Sequence, residues 1–571
     1  MATDWSALKA KRVNQVRRPP FCAFYAPLSI VSTGSSTLAA QGSPVPYSHP
    51  DLPSFLKVQQ LPNKGRGVVA KRKIIAGSTL LTTSPLVAVL DNRHVPSRCS
   101  YCSRAQDDAE QQKPLLQCSL CHVVQYCSGA CQQADWKLHK KECKALKAAA
   151  KAAGKKVLPD SPVRALARLL WKRELEGDKL WQEVESLQSH RDDLLPEEQE
   201  RFFQLSVALA QYTGSQELLA SAVGGSGKGM LDLCSRFTSN SFSLTSPADV
   251  SNIGVAISPL TALFNHSCAP NAVVVFPSFP SPSKPKNMAV VAIRDIEAGE
   301  EVLTSYVDLA LPREERQKEL KERYYFDCRC EACEAGALEG EVEPRAALVC
   351  SKQTCKALIP LPVRSEASSS ASVSCSCCKS SAPYQDVYPA IDAAKLAFAD
   401  AEKAQYSDPH LALRHLTNAI DTLTASLAPT PPLAPSSHPL FSSLQLLLTL
   451  QLHAGAFSLA LPTARQAWLG ASTLYPPSHP VRAVLLSTLA RLETIPPPPD
   501  AGPAAEIAYW SDEAARARGI ARLAQAVREA EGAFGKESAG GEMGRRLRAL
   551  LRDQEEGVAM ARRVRQAGGV A

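Results

Sequence analysis

Paired cysteines constrain this chain more than any other feature of its sequence. Between residues 99 and 143 the pairs are Cys99-x2-Cys102, Cys118-x2-Cys121, Cys127-x3-Cys131 and His139-x3-Cys143. A CxxC turn aims two thiolates at one metal ion, and the x3 spacing of the last pair places both ligands on one helix face. Eight nitrogen and sulfur ligands suffice for two tetrahedral zinc ions. Spacing alone leaves open which pairs share an ion.

The other cysteines are grouped in the same way. The chain has 18 cysteines among 571 residues and no good secretory signal, so the pairs indicate metal binding in a reducing compartment rather than disulfides. One further cluster is Cys328-x-Cys330-x2-Cys333, and another is Cys350-x4-Cys355 with Cys375-x2-Cys378. The latter fits a fourth zinc site or a Ser-rich linker equally well, and Cys377 competes as a ligand. Cys22 and Cys234 belong to no pair.

Composition indicates a globular chain and rules out few functional classes. Hydrophobic residues make up 45% and charged residues 21%, and the net charge of +8 is mild over this length, so an acidic partner is permitted but not required. No apolar stretch approaches the about 18–20 residues of a membrane helix. Residues 1–50 are rich in Ser, Pro and basic side chains. They predict a disordered leader, with a transit peptide as the alternative.

Several separated segments carry a second pattern. In chain order they are Asn63-Lys64-Gly65-Arg66-Gly67-Val68, Ser239-Asn240-Ser241-Phe242, Leu263-Phe264-Asn265-His266-Ser267-Cys268-Ala269-Pro270-Asn271, Gly299-Glu300-Glu301-Val302-Leu303-Thr304-Ser305-Tyr306 and Tyr324-Tyr325-Phe326-Asp327-Cys328-Arg329-Cys330-Glu331-Ala332-Cys333. They resemble the core of SET methyltransferases. With the cysteine pairs of residues 99–143, which resemble a MYND zinc finger, their order is that of the SMYD family of SET- and MYND-containing protein lysine methyltransferases.

The resemblance implies a site for S-adenosylmethionine. Lys64, Gly65 and Arg66 would contact the amino-acid end of the cofactor, with Asn240, Asn265 and His266 around it. Tyr324 would line the lysine channel or the cofactor pocket, and Phe326 would stack near the adenine. Tyr306 would be the catalytic tyrosine that orients the amine, with Tyr324 as its partner.

The resemblance also implies how the zinc ligands are shared. Cys99, Cys102, Cys127 and Cys131 would hold one ion, and Cys118, Cys121, His139 and Cys143 a second, in a cross-braced finger. Cys268, Cys328, Cys330 and Cys333 would hold a third. The expected cofactors are therefore S-adenosyl-L-methionine and three zinc ions, with a fourth left open.

These observations predict an α+β multidomain protein: a β-rich SET fold with an inserted MYND zinc finger, a post-SET zinc site and a tetratricopeptide-like helical C-terminal domain. The expected segments are a leader at 1–50, the SET N-terminal part at 51–98, the MYND finger at 99–143, a helical insertion at 144–229, the SET core at 230–312, the post-SET segment at 313–335, a Cys-containing linker or zinc ribbon at 336–385 and the helical domain at 386–571.

The implied activity is methylation of protein lysines, on histones or other proteins. The alternative is a non-catalytic adaptor or transcriptional co-regulator on a degenerate SET scaffold. Expected partners are a lysine-containing protein substrate and proline-containing peptides at the MYND finger. Lysines 137, 140, 141 and 144 allow a weaker nucleic-acid alternative, although such a face is more often only solvated. A monomer in the nucleus, the cytoplasm or both is expected, without membrane association.

Overall fold

A computed structural model describes residues 49–106, 113–223, 227–335, 342–352, 354–424, 427–495, 508–510 and 512–568. Cys22 and nearly all of the predicted leader lie outside these residues. The chain divides into two compact units. Among the described residues, the smaller unit comprises Ala310–Pro312 and Ala335–Leu474, and the larger comprises residues 49–309, Arg313–Glu334 and residues 475–568. Within the described residues, no helix combines the length and hydropathy needed to cross a membrane.

The larger unit contains short strands in several small sheets. They are β1 (Leu56–Leu61), β2 (Gly65–Ala70), β3 (Thr79–Thr83), β4 (Val87–Leu90), β5 (Leu116–Gln117), β6 (Gln125–Tyr126), β7 (Ser241–Thr245), β8 (Asn252–Ile257), β9 (Asn265–His266), β10 (Ala272–Val275), β11 (Met288–Ala292) and β12 (Leu303–Thr304). The sheets are β1-β2, β10-β11-β3, β4-β8-β7, β5-β6 and β9-β12. All pairs are antiparallel except β9 with β12, which are parallel.

The helices of the larger unit lie between and after these strands. They are α1 (Gly129–Ala153), α2 (Ser161–Glu176), α3 (Asp178–Glu185), α4 (Pro196–Thr213), α5 (Gln216–Val223), α6 (Gly227–Ser239), α7 (Arg313–Tyr324) and α8 (Glu331–Ala335). Helix α1 begins where the Ser128 hydroxyl accepts a hydrogen bond from the Cys131 amide at 3.2 Å, and it ends at Gly154 with φ +64°. Both are ordinary helix-end devices, because the hydroxyl satisfies a free N–H and glycine tolerates the left-handed region.

The core of the SET-like part lies between the sheets. Strand β11 (Met-Ala-Val-Val-Ala) is buried at every position, unlike a strand with one solvent-exposed face. Val68, Leu80, Phe264 and Val290 belong to one apolar cluster of the larger unit.

The smaller unit combines two hairpins with helices. The strands are β13 (Ala347–Val349), β14 (Leu358–Pro360), β15 (Ser372–Ser374) and β16 (Ser381–Pro383), and the helices are α9 (Tyr388–Ala404), α10 (Pro409–Leu423), α11 (Leu440–His453) and α12 (Phe457–Leu474). Consecutive helices pack on each other. An apolar stripe on α10 forms the contact: Leu416 and Leu423 are buried, and Leu413 and Ile420 pack against the apolar cluster that contains Leu416.

The predicted C-terminal region is helical, and it contributes to both units. Helices α13 (Pro480–Glu493), α14 (Glu513–Phe534) and α15 (Gly541–Gly568) belong to the larger unit, where α14 packs against β11. The turn between α14 and α15 is tied to the SET-like sheet: the Glu537 carboxylate accepts from the Thr79 amide at 3.0 Å and from its hydroxyl at 2.8 Å. The tetratricopeptide-like arrangement and the exact segment boundaries stay predictions.

Replacement of Gly254 by alanine should destabilise the larger unit. A Cβ there would lie 2.1 Å from the Val89 carbonyl oxygen and 2.9 Å from the Leu90 Cα, and neither backbone atom can move without breaking the β4-β8 pairing. We expect a loss of about 1–3 kcal/mol, seen as a lower Tm in calorimetry. Gly227→Ala is the control, because nothing lies within 4 Å of its Cβ and it stands in a helix. Equal Tm values for both variants would contradict this packing.

Candidate functional site

Two chain segments cross beside each other at the centre of the larger unit. Strand β9 lies parallel to β12, with Asn265 opposite Leu303 and His266 opposite Thr304. The Ser267 amide extends the pairing by donating to the Thr304 carbonyl at 2.8 Å. The crossing therefore brings the Asn-His-Ser-Cys segment against the residues that precede Tyr306.

The side chain of Asn271 fastens this crossing. It has no exposed surface, and its amide nitrogen donates to the Glu300 carboxylate at 3.0 Å and to the Glu301 carbonyl at 2.8 Å. Its amide oxygen accepts from the Leu303 amide at 2.7 Å. A buried amide with these bonds stabilises the crossing, since each unmade bond would cost desolvation. No role for Asn271 was predicted from the sequence, although the Pro-Asn pair that ends the motif was a signal.

Glu301 joins three of the recognised segments. Its carboxylate lies 2.9 Å from the Lys64 ammonium and 2.8 Å from the Asn265 amide nitrogen, which also donates to the Arg66 carbonyl at 3.1 Å. Gly67 makes the approach possible, because a Cβ there would be 2.8 Å from both Asn265 and Glu301. Glu301 was also missed as a site residue, although it stands within the quoted Gly-Glu-Glu motif.

Aromatic rings gather beside the crossing. The Tyr306 ring centroid lies 4.9 Å from that of Tyr324 and 5.3 Å from that of His266, and Phe326 lies 5.9 Å from His266. The Tyr306 hydroxyl donates to the Phe264 carbonyl at 2.8 Å, and the Tyr324 hydroxyl donates to the Tyr306 carbonyl at 3.3 Å. The result is a partly apolar wall with two fixed hydroxyl groups.

Burial controls the charge states of these groups. It raises the pKa of Tyr306 above its usual range, with further contributions from Tyr324 and Glu301, and it also raises the pKa of Tyr324. Both phenols are therefore neutral near pH 7. Burial lowers the pKa of His266 to about 4. The His266 Nδ1 accepts from the Tyr306 amide at 2.9 Å and its Nε2 lies 3.3 Å from the Cys268 sulfur, so the ring is an internal positioning group.

The side chains of two predicted cofactor residues form hydrogen bonds to backbone carbonyls of other segments. The Arg66 guanidinium donates to the Ser186 carbonyl, and the Asn240 amide nitrogen donates to the carbonyls of Gln188 at 2.9 Å and Arg236 at 2.7 Å. These bonds hold the segment after α3 against the SET-like part. The structure thus brings together Lys64, Asn265, His266, Tyr306, Tyr324 and Phe326, while the side chains of Arg66 and Asn240 bind the helical insertion. Gly65, with φ +69°, has open space where a Cβ would stand.

The predicted metal ligands converge in the implied groups. They are Cys99, Cys102, Cys127 and Cys131; Cys118, Cys121, His139 and Cys143; and Cys268, Cys328, Cys330 and Cys333. Within each group the ligand atoms all lie within 4.8 Å of one another. Ligands 2.3 Å from a tetrahedral zinc ion are about 3.8 Å apart. The grouping in residues 99–143 is the interleaved one, and Cys234 lies buried in α6 outside these groups.

A buried charge network supports His139 from behind. Its Nε2 faces the Cys121 sulfur at 3.8 Å, while its Nδ1 lies 3.3 Å from the Glu142 carboxylate. Arg168, on α2, donates a hydrogen bond from Nε to the Glu142 carboxylate at 3.1 Å. Its two terminal nitrogens each donate to the Asp135 carboxylate at 3.1 Å. Burial opposes ionisation of Glu142, but Arg168 and His139 hold its pKa well below the usual range. The cysteine-rich segment is therefore fixed to the helical insertion by paired charges.

The lysine face on α1 is partly paired. The Lys141 ammonium lies 2.7 Å from the Glu174 carboxylate of α2. Such a pair suits a solvated surface as well as a nucleic-acid site, so nucleic-acid binding stays a prediction.

Replacing Glu142 with glutamine should weaken zinc binding by the group that contains His139. A carboxylate behind a histidine ligand fixes the ring and raises its basicity, and its loss typically costs about 10–100-fold in metal affinity. Competition with a chromophoric chelator would measure the release of this ion. Glu174→Gln is the control, because it removes an exposed carboxylate that pairs with Lys141, the residue next to Glu142 on α1. Identical release from both variants would mean that the network does not support the ligand.

Known proteins resemble the chain over the region just described. Residues 65–307 match the family model for the SET domain. Relatives include Histone-lysine N-methyltransferase ASHR1 of Arabidopsis thaliana, 32% identical over 53% of this chain and 62% of its own, and N-lysine methyltransferase SMYD2 of Gallus gallus, 33% identical over 48% and 58%. Histone-lysine N-methyltransferase SMYD3 of Homo sapiens is 31% identical over 49% and 62%.

The chain thus spans about three fifths of the length of these relatives. A solved SET domain of LSMT aligns with a TM-score of 0.24 at 14% identity and 92% coverage of both chains. The matched span contains the crossing, Tyr306 and both cysteine groups of residues 99–143. The mixed helix and strand fold, the Cys-rich groups and the helical C-terminal region confirm the predicted fold class. Residues 65–307 therefore match the SET domain, and about half of the chain is similar in sequence to SMYD methyltransferases.

Proposed function

We propose that the chain is a protein-lysine N-methyltransferase that uses S-adenosylmethionine. The observation that carries the proposal is the meeting of Tyr306, Tyr324 and His266 where β9 crosses β12, inside a SET domain. Relatives that match this region are named lysine methyltransferases. Histone and non-histone lysines are both candidate substrates.

The charged residues beside the crossing suit the amino-acid end of the cofactor. That end carries a carboxylate and an ammonium group, and Lys64 and Glu301 offer one partner for each, 2.9 Å apart. Glu301 is largely buried while Lys64 is half exposed, so the carboxylate is fixed and the ammonium can shift toward a ligand. Phe326 beside His266 offers a face for an aromatic ring. Arg66 and Asn240 would contribute through their backbone positions or by holding the insertion in place.

Tyr306 would orient the lysine amine rather than take its proton. Its raised pKa keeps the phenol neutral, and its O–H is committed to the Phe264 carbonyl, so its oxygen offers lone pairs to an approaching N–H. The bound cofactor supplies a sulfonium methyl group. Free lysine has a pKa of about 10.4, and burial beside Tyr306 and Tyr324 would favour the neutral amine that reacts. The rings also suit the methylammonium product through cation–π contact.

Zinc would fill the three ligand groups of the larger unit. Thiolate and imidazole ligands at these separations fit tetrahedral zinc. The pair of sites in residues 99–143 would supply folding energy to a segment with little core of its own. The site with Cys268 would tie the crossing to the post-SET cysteines, and thereby hold Tyr324 and Phe326 near Tyr306.

We further propose a lysine-containing protein as substrate, proline-containing peptides as partners of the MYND finger, and a monomer in the nucleus, the cytoplasm or both. The names of the relatives support a protein substrate, because they include histone-lysine methyltransferases. Free thiols in metal-binding groups suit a reducing compartment. The adaptor alternative differs in one property, since a scaffold without activity need not bind the cofactor.

Removal of the Tyr306 hydroxyl should reduce methyl transfer by about 10²-fold or more, because the amine would lose its fixed orientation. Labelled cofactor and cell extract would report transfer, and calorimetry would report cofactor affinity, which Tyr306→Phe should leave nearly unchanged. Tyr509→Phe is a matched control, because its hydroxyl donates to the Thr494 carbonyl at 2.7 Å, away from the crossing.

The outcomes separate the two functions. Full activity of Tyr306→Phe would remove this residue from the mechanism. Wild-type protein that neither binds the cofactor nor labels any protein would support the adaptor. Equal losses in Tyr306→Phe and Tyr509→Phe would indicate that the effect comes from stability alone.

A further inference from the structure

A fourth cysteine group lies in the smaller unit, outside the matched SET domain. Its members are Cys350, Cys355, Cys375 and Cys378, and their sulfur atoms all lie within 4.8 Å of one another. We propose that these four thiolates bind a structural zinc ion, so that residues 347–383 form a zinc ribbon and the chain carries four zinc ions.

The distances fit a metal site better than disulfides. Two sulfur pairs, Cys350 with Cys378 and Cys355 with Cys375, are each 3.6 Å apart. Sulfur atoms bound to one zinc ion are about 3.8 Å apart, given a Zn–S bond of about 2.3 Å. A disulfide needs about 2.05 Å. Each pair also joins one hairpin to the other, as one shared ion requires.

The architecture around the four thiols is that of two facing knuckles. Cys350 follows β13 and Cys355 precedes β14, which pairs antiparallel with β13. Cys375 and Cys378 stand in the same way between β15 and β16. Each hairpin thus presents its cysteines at the turn, where two thiolates can point in one direction.

The second knuckle has the hydrogen bonds of a metal-binding turn. The Cys375 amide donates to the Ser380 carbonyl at 2.9 Å, and the Lys379 amide donates to the Cys375 carbonyl at 2.9 Å. The Ser380 hydroxyl lies 2.9 Å from the Cys378 sulfur and 3.5 Å from the Cys350 sulfur. This hydroxyl is placed to donate to thiolates of both hairpins, as groups behind metal ligands often do.

The MYND finger of the same chain contains this turn twice. The Cys99 amide donates to the Arg104 carbonyl at 2.9 Å, and the Ser103 amide donates back to the Cys99 carbonyl at 2.8 Å. At the other CxxC pair, the His122 amide donates to the Cys118 carbonyl at 2.9 Å. The Cys375 turn therefore repeats both backbone bonds of the Cys99 turn and one of those of the Cys118 turn, and the cysteines of these two turns belong to recognised ligand groups.

Backbone conformation extends the likeness to the wider first pair. In all four turns, the residue directly after the second cysteine has a positive φ although it is not glycine. These residues are Ser103 (63°), His122 (53°), Lys356 (50°) and Lys379 (57°). Such angles are uncommon for residues with a Cβ and persist where surrounding structure fixes them. Cys350-x4-Cys355 therefore ends in the same turn as the CxxC pairs.

The proposed ion would hold together the region that precedes the helices of the smaller unit. The hairpins are short and bury few large side chains, so they need a further link. They are joined to later chain segments: the Val349 amide donates to the Pro432 carbonyl at 2.9 Å, and Arg364 binds the Asp392 carboxylate on α9 at 3.0 and 2.7 Å. Zinc binding displaces the thiol protons to solvent and involves no oxidation.

The metal content of the full-length protein tests the proposal directly. Native mass spectrometry and elemental analysis of protein purified without chelator should give four zinc ions per chain. Three ions per chain, with free thiols at the four cysteines, would overturn the assignment. This measurement needs no variant and no methyltransferase activity, so an inactive protein with four ions would leave the ribbon standing and remove only the proposed function.

A pair of serine substitutions locates the ion. Cys355→Ser should lose one zinc relative to wild type, while Cys377→Ser should lose none, because Cys377 is exposed and lies outside the four-atom group. Cofactor affinity should be unchanged in both, since the residues around the crossing belong to the larger unit. An unchanged count in Cys355→Ser, or a loss in Cys377→Ser, would refute the proposed ligand set. If Cys355→Ser does not fold, the wild-type count decides alone.

Discussion

The short parallel pairing of β9 with β12 is the constraint on which the functional part of this chain depends. It places His266 beside Thr304 and thereby sets Tyr306 against the His266 ring. The buried amide of Asn271 bonds to the backbone of Leu303 and Glu301, so the two segments cannot slide without leaving polar groups unpaired. Residues from distant segments, Lys64 among them, gain a fixed geometry because they contact this crossing.

The cysteine groups connect further segments to this pair of strands. Cys268 directly follows the crossing and shares its group with three cysteines that follow Tyr324 and Phe326, so a metal there connects the aromatic wall to the strands. In residues 99–143, the carboxylates of Asp135 and Glu142 are bound by Arg168, which lies on α2 outside that segment. Removing only one partner would leave a buried charge, which is more costly than replacing the whole network. Convergent cysteine groups and buried ion pairs thus join residues 99–143 and the helices that follow to a scaffold of small sheets.

Much of this arrangement could be predicted from the sequence because ligand chemistry has short spacing rules. Paired cysteines aim at one ion, and the motif around His266 is long enough to be distinctive. Three cysteine-containing groups and the aromatic residues were therefore expected from the family resemblance, while the fourth group was left open between a zinc site and a linker. The roles of Asn271 and Glu301 were missed because they depend on partners from other segments. The cofactor roles of Arg66 and Asn240 stay predictions. Their bonds to backbone carbonyls could not be foreseen, because the direction of a long or amide side chain depends on which carbonyl groups the fold brings near.

The C-terminal helices show why domain organisation is harder to predict than metal sites. Sequence periodicity predicts helices after residue 386. It does not predict which strand or helix each of them packs against, because apolar stripes of similar width can pack against many surfaces. Helix α14 packs on β11, a strand with no exposed residue, so this helix shields part of the strand from solvent. At the turn that follows, a Cβ on Gly541 would meet the Pro277 carbonyl oxygen at 2.2 Å. The SET-like core is therefore completed by residues from the far end of the chain, and substitutions in α14 and α15 would act on the same folding unit as those around Tyr306.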